Sequence, residues 1–358
     1  MGQKQYWNIV KGLGIIAIVI GHTGSPLWTY VYMYHLALFF FVSGYLYKEK
    51  YSPDPFGYIA NRLRRIWWPL VQYGAVYALL HNVFLRINIY SNLSDIPKVT
   101  PMKEYHLYDL FVAIKQILFM QSIEEMGGAM WFIFPLFMVM ACFCFIQKLS
   151  LIAKGWKREV IVASLVIISG LLGIWLFNGK IKLEYRLDVS LLVLPIVYAG
   201  FLTRRVWDRF PLKWYVALIT LITVIVIYKY TGSFISLAQQ ILIGPKWFFL
   251  ASFAGIYFNL YLAKIIQSSQ AISRRIAYLG EQSFHIMALH FLSFKIINVA
   301  YVMFYDKPYH WIAKFPFIDS NWWIAYTVAG IVGSVVCVEV FAYFKSRYKK
   351  YMNIDVTV

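Results

Sequence analysis

The 358-residue chain is short of charge, shorter still of acid, and nearly free of cysteine. Only 14% of its residues are Asp, Glu, Lys or Arg, against about 25% in an ordinary soluble domain. That deficit argues against a soluble multidomain enzyme, and the 61% of apolar residues argues against a disordered or fibrous chain. Sixteen acidic residues face 34 Lys and Arg, a formal net charge of +18. In a soluble protein such an excess points to nucleic acid; here the basic residues sit in short clusters between long apolar runs, the pattern of a membrane protein, and no nucleic-acid partner is expected. Cys142, Cys144 and Cys337 all lie inside apolar runs, odd in number and at no metal-ligand spacing, so neither a disulfide framework nor a zinc site is implied. The first apolar run lacks an A-x-A cleavage site and reads as a retained helix. No internal repeat of the inverted-transporter kind is visible.

What is present is a series of about ten apolar runs long enough to span a bilayer. They lie near residues 7–25, 29–47, 66–88, 129–147, 159–177, 188–203, 214–230, 246–264, 278–304 and 322–344. The basic clusters fall in alternate loops: Lys48, Lys50, Arg62, Arg64 and Arg65; Lys148, Lys154, Lys157 and Arg158; Arg204, Arg205, Arg209 and Lys213; Lys264, Arg274 and Arg275; Lys345, Arg347, Lys349 and Lys350. The positive-inside rule then places both termini in the cytoplasm. The expected fold is all-α: one polytopic transmembrane helical bundle of about ten helices, a single domain over 1–358. The longest polar interruption, 89–128, carries a moderately apolar stretch from Leu107 to Met120 and is expected to hold a re-entrant or surface helix.

Ionisable residues inside apolar runs mark the chemistry. Lys11 and His22 are separated by eleven positions in the first run, which puts them within about 20° of one helix face and about 16 Å apart along it. His35 lies in the first part of the second run, a few residues past a turn centred on Ser25–Trp28. Two imidazoles at similar depth on neighbouring helices suit proton transfer or nucleophilic relay. The plain alternative is that Lys11 snorkels to the interface and His22 ends a helix. A metal pair is a third use, but no carboxylate accompanies the histidines at ligand spacing.

The segments Lys11-Gly12 to Gly21-His22 and Tyr34-His35-Leu36-Ala37-Leu38-Phe39-Phe40-Phe41-Val42-Ser43-Gly44 resemble acyltransferase family 3, integral-membrane O-acyltransferases that include fucose 4-O-acetylase-like and capsule- or exopolysaccharide-acetylating enzymes. The basic residue, ten intervening residues and histidine of the family's first helix are matched by Lys11 and His22, and its Phe-Phe-x-Ser-Gly core by the stretch ending in Ser43 and Gly44. Tyr34 stands for the usual Phe, Leu36-Ala37 for Met-Pro, and Asn8 where many members have Asp. Looser likenesses are Asn61 to Pro69, Met130-Trp131-Phe132-Ile133, Arg186-Leu187-Asp188, and Leu279-Gly280 to His290.

The resemblance implies transfer of an acetyl or other acyl group from cytoplasmic acetyl-coenzyme A to a sugar hydroxyl of a cell-envelope, capsular or exopolysaccharide glycan or its lipid-linked precursor, by a multi-pass protein of the cytoplasmic (inner) membrane. Implied catalytic residues are His22, His35 and Lys11. Lys11, Arg62, Arg64 and Arg65 would bind the donor, whose phosphates suit guanidinium, and Trp131, Arg186, Asp188, His290 and Ser43 would touch the acceptor. No metal is implied. The partners are acyl-coenzyme A, the glycan acceptor and membrane lipid, and a homo-oligomer is compatible. The rival reading is a proton-coupled transporter or flippase of a glycan precursor, with the histidines as relay.

Overall fold

The computed structural model describes residues 2–351, with the side chains of 349–351, and so of Lys349 and Lys350 in the last basic cluster, outside the described residues. Its helices are α1 (Gln3–Gly21), α2 (Trp28–Tyr32), α3 (His35–Leu46), α4 (Pro55–Arg62), α5 (Trp68–Arg86), α6 (Leu107–Leu118), α7 (Ile133–Leu149), α8 (Trp156–Asn178), α9 (Leu187–Arg205), α10 (Trp214–Thr231), α11 (Pro245–Gln267), α12 (Gln270–Glu281), α13 (Ser283–Phe304) and α14 (Trp323–Tyr351). Among the described residues there is no β-strand, only isolated bridges at Ser91–Pro101 and Ser236–Ile241. The fold is therefore an all-α membrane bundle.

Eight helical segments among the described residues are long and apolar enough to cross a bilayer by length and composition, the first being the broken pair α2–α3, Trp28–Leu46. The runs near 7–25 and 66–88 also form helices, of 19 residues each, but are not apolar enough to join that set. Their surroundings explain this. Helix α1 is wrapped by α12, α3, α11 and α13, so Asn8 can donate to Glu281 Oε1 at 2.7 Å instead of meeting lipid. Helix α5 spends its polar groups on the 89–128 segment: Asn82 exchanges two 2.8 Å bonds with the Tyr105 backbone, and His81 lies 3.1 Å from Glu124 Oε2 and 2.9 Å from the Lys103 carbonyl. That segment contains α6, whose Leu107, Tyr108 and Phe111 are exposed.

Helix α1 is held by a close crossing with α12. A Cβ added at Gly280 would fall on the Asn8 carbonyl, and one at Gly12 on the carbonyl of Ile276, so only glycine permits this approach. The basic ends of several helices are gathered together: Glu49, just beyond α3, pairs with Arg205 of α9 at 2.8 Å and Arg158 of α8 at 3.5 Å. His22 and His35 lie at the other end of α1 and α3.

Candidate active site

The first histidine is placed by the way α1 stops. Gly21 is its last residue, His22 turns out of helical geometry with its N–H donating to Val19 O at 3.0 Å, and the Thr23 hydroxyl caps the Ile20 carbonyl at 2.9 Å. Gly24 then takes φ 69°, a left-handed turn that favours glycine. The second histidine opens α3. Its ring reaches back four residues, and Nδ1–H donates at 2.8 Å to the Val31 carbonyl, which also accepts from Tyr34 N at 3.2 Å where α2 ends. His35 Nε2 is thereby left as a lone pair.

His290, on α13, completes the group. Both the Ile286 and Met287 carbonyls lie 3.0 Å from its Nδ1. Carbonyls only accept, so the proton sits on Nδ1 and Nε2 carries the lone pair. That Nε2 is 3.0 Å from His22 Nδ1, with the rings stacked at 11°. His22 must then donate from Nδ1, which leaves its own Nε2 as a base. The chain of bonds from two backbone carbonyls through His290 thus fixes the tautomer of His22. Phe291 and Phe294 pack against His290, Phe315 packs against Phe291, and His290 is fully buried.

His22 and His35 share a cavity of about 290 Å³, floored by Ile18, Ala37 and Met287 and walled by Trp28, Tyr32, Trp131, Phe234 and Ser252. No hydrogen bond joins His22 to His35 among the described residues; the cavity brings both to one substrate, while the direct partner of His22 is His290. One wall is the loop 233–239, and the residues Arg186 and Asp188 hold it. Arg186 donates to Leu237 O at 2.7 Å and Ala238 O at 3.3 Å, and pairs with Asp188 at 3.3 Å. Buried Asp188 also accepts from Gln240 Nε2 at 2.9 Å. Tyr185 and Arg186 both take φ 55°, a left-handed backbone held at this latch. The Arg186 guanidinium also lies 5.1 Å from the ring of Trp131, which it steadies against the cavity.

The other predicted residues lie elsewhere. Lys11 is half-buried and is not among the cavity residues. Ser43 lies two turns beyond His35 on α3, also outside the cavity. Arg62 donates to the Tyr58 hydroxyl at 3.0 Å and sits over that ring, whereas Arg64 and Arg65 are exposed on a single π-helical turn, Leu63–Trp67. Trp28, Tyr32, Phe234 and Ser252 escape a reading of the sequence, for aromatic residues and lone serines in apolar runs are ordinary there. Among the described residues no three His, Cys, Asp or Glu side chains are grouped to hold a metal ion.

The fold defines a multi-pass membrane protein, and its histidine cavity gathers His22 and His35 with His290 bonded behind His22. The chain belongs to acyltransferase family 3: the family model described as an acyltransferase domain matches residues 4–340. The protein is accordingly a membrane acyltransferase. No curated protein and no solved structure matches the chain.

Proposed function

We infer that the protein is an O-acetyltransferase that moves an acetyl group from acetyl-coenzyme A to a sugar hydroxyl of an envelope glycan or its lipid-linked precursor, at the cytoplasmic membrane. The observation that carries this reading is the free lone pair on His22 Nε2, which His290 fixes at a cavity of about 290 Å³. The acceptor O–H gives its proton to His22 Nε2 as its oxygen attacks the thioester carbonyl carbon; the carbonyl electron pair moves onto oxygen. When that pair returns, the C–S bond breaks and the leaving thiolate takes the proton from His22. His35 Nε2, on the same cavity, accepts a hydrogen bond from the acceptor and orients it. Lys11 and the exposed Arg64 and Arg65, toward the basic end, would draw the donor's phosphates, with Arg62 holding the segment against Tyr58.

Detergent-purified protein given acetyl-labelled acetyl-coenzyme A should hydrolyse or transfer the label. His22→Gln, which cannot take a proton at neutral pH, should lose turnover by about 10² or more with donor binding retained. Near-wild-type turnover in that variant would overturn the assignment of the base. A flippase would move precursor without forming an ester, so absence of any labelled acetyl product would return the rival reading.

A further inference from the structure

Helix α11 carries a hydroxyl that behaves unlike its counterparts. Ser and Thr side chains in helices ordinarily donate to the carbonyl four residues back, and this protein follows the habit: Ser334 donates to Gly330 O at 2.6 Å, Thr327 to Trp323 O at 2.8 Å and Thr203 to Ala199 O at 2.8 Å. Ser252 does not. It is fully buried, its Oγ has no hydrogen-bond partner among the described residues, and it lines the histidine cavity on the same helical face as Phe248, one turn away. A buried hydroxyl left unpaired costs on the order of 1–3 kcal/mol, so its natural partner is what enters the cavity.

A second set of donors faces the same space. The spanning segment Trp28–Leu46 is broken between α2 and α3, where Tyr34 takes φ −144° and ψ −15°. Backbone pairing runs Met33 N to Tyr30 O, Tyr34 N to Val31 O, then resumes with Leu38 N to Tyr34 O. The N–H groups of His35, Leu36 and Ala37 have no partner among the described residues, and all three residues line the cavity. A broken membrane helix that turns its N-terminal end toward a cavity offers partial positive charge to an oxygen bound there.

We propose that Ser252 Oγ and the first-turn N–H groups of α3 bind the acyl carbonyl oxygen of the thioester donor and hold the negative charge that develops on it. The chemistry sorts the ligand atoms. A carbonyl oxygen can only accept and needs donors; the reacting hydroxyl of the acceptor gives its proton to the Nε2 lone pair of His22, and a neighbouring hydroxyl of the same sugar donates to that of His35. The inference rests on the acyl-transfer reading, in which the C=O electron pair moves onto oxygen as the acceptor attacks and returns as the thiolate leaves; these donors stabilise that interval without exchanging a proton.

The test is Ser252→Ala with acetyl-coenzyme A as the probe, beside wild type and His22→Gln. Loss of one oxyanion donor should lower kcat by about 10²-fold while the Michaelis constant for acetyl-coenzyme A stays within about threefold. The melting temperature should hold or rise, since an unpaired buried hydroxyl is removed. Ser252→Cys, nearly isosteric and a weak donor, should fall between the two. If wild type turns over, His22→Gln is inactive and Ser252→Ala keeps wild-type kcat, the proposal falls alone; so it does if lost activity merely tracks a lowered melting temperature. If wild type processes neither acetyl- nor butyryl-coenzyme A, the acyl-transfer reading falls and takes this proposal with it.

Discussion

At the residue scale the site is a matter of which nitrogen holds which proton. The carbonyls of Ile286 and Met287 fix His290, and His290 fixes His22. In the proposed mechanism His290 acts as a positioning residue, through His22 and without touching the substrate. Its replacement by Ala should free the His22 ring to adopt the wrong tautomer and lower kcat by about tenfold or more, while His290→Gln, which keeps an oxygen to accept from His22 Nδ1–H, should recover part of the loss. Equal loss in both variants, measured as kcat with donor affinity unchanged, would show that packing and not acceptance is what His290 supplies. The sequence makes His22 and His35 visible because ionisable groups in apolar runs stand out. It offers no spacing that joins His22 to a residue 268 positions away, and Ser252 carries no charge to draw attention to itself.

Elements bring these residues together through small contact residues. Helix α1 delivers His22 to the cavity only because Gly12 and Gly280 let it lie against α12 with backbone nearly touching backbone. Gly280→Leu should force the helices apart and destabilise the protein by about 1–3 kcal/mol, in the manner of overpacking, and Gly280→Ala should fall between. Thermal melting in detergent reads the order; equal melting of all three proteins would disprove the crossing. The number and placement of the apolar helices were legible in the sequence, since lipid imposes long apolar runs. The runs near 7–25 and 66–88 were read as spans like the rest; why they are less apolar lies in Glu281, Tyr105 and Glu124, brought over from distant segments. The break within Trp28–Leu46 leaves no Pro or Gly as a marker at Met33–Tyr34, so the broken helix emerges only in three dimensions.

Over the whole molecule, the ion pairs of Glu49 and the histidine cavity lie at opposite ends of α3. Glu49 ties the basic end together, and hydrogen bonding from Arg205, aided by Arg158, holds its carboxyl below the ordinary value of 4.5. A carboxylate whose folded value is depressed contributes fully above its unfolded value and loses that contribution as pH falls through the folded one. Glu49→Gln should therefore destabilise the fold at pH 7 by less than about 1 kcal/mol for so exposed a pair, read as a slightly lower melting temperature, and the gap from wild type should close progressively below pH 4.5. A gap that persists at lower pH would mean that Glu49 acts by shape. At the other end, the latch on the loop 233–239 grips main chain: Arg186 takes the carbonyls of Leu237 and Ala238, and Lys180 takes that of Gln240. Carbonyls are the same in every amino acid. Ile235 and Leu237 are buried, Phe234 packs on Trp28 and Tyr32, and the Ser236 hydroxyl accepts from Gln239 N, but the side chains of half-buried Ala238 and exposed Gln239 take no part in this anchorage, so the surface presented to an incoming molecule can diversify at those two positions while the loop stays where it is.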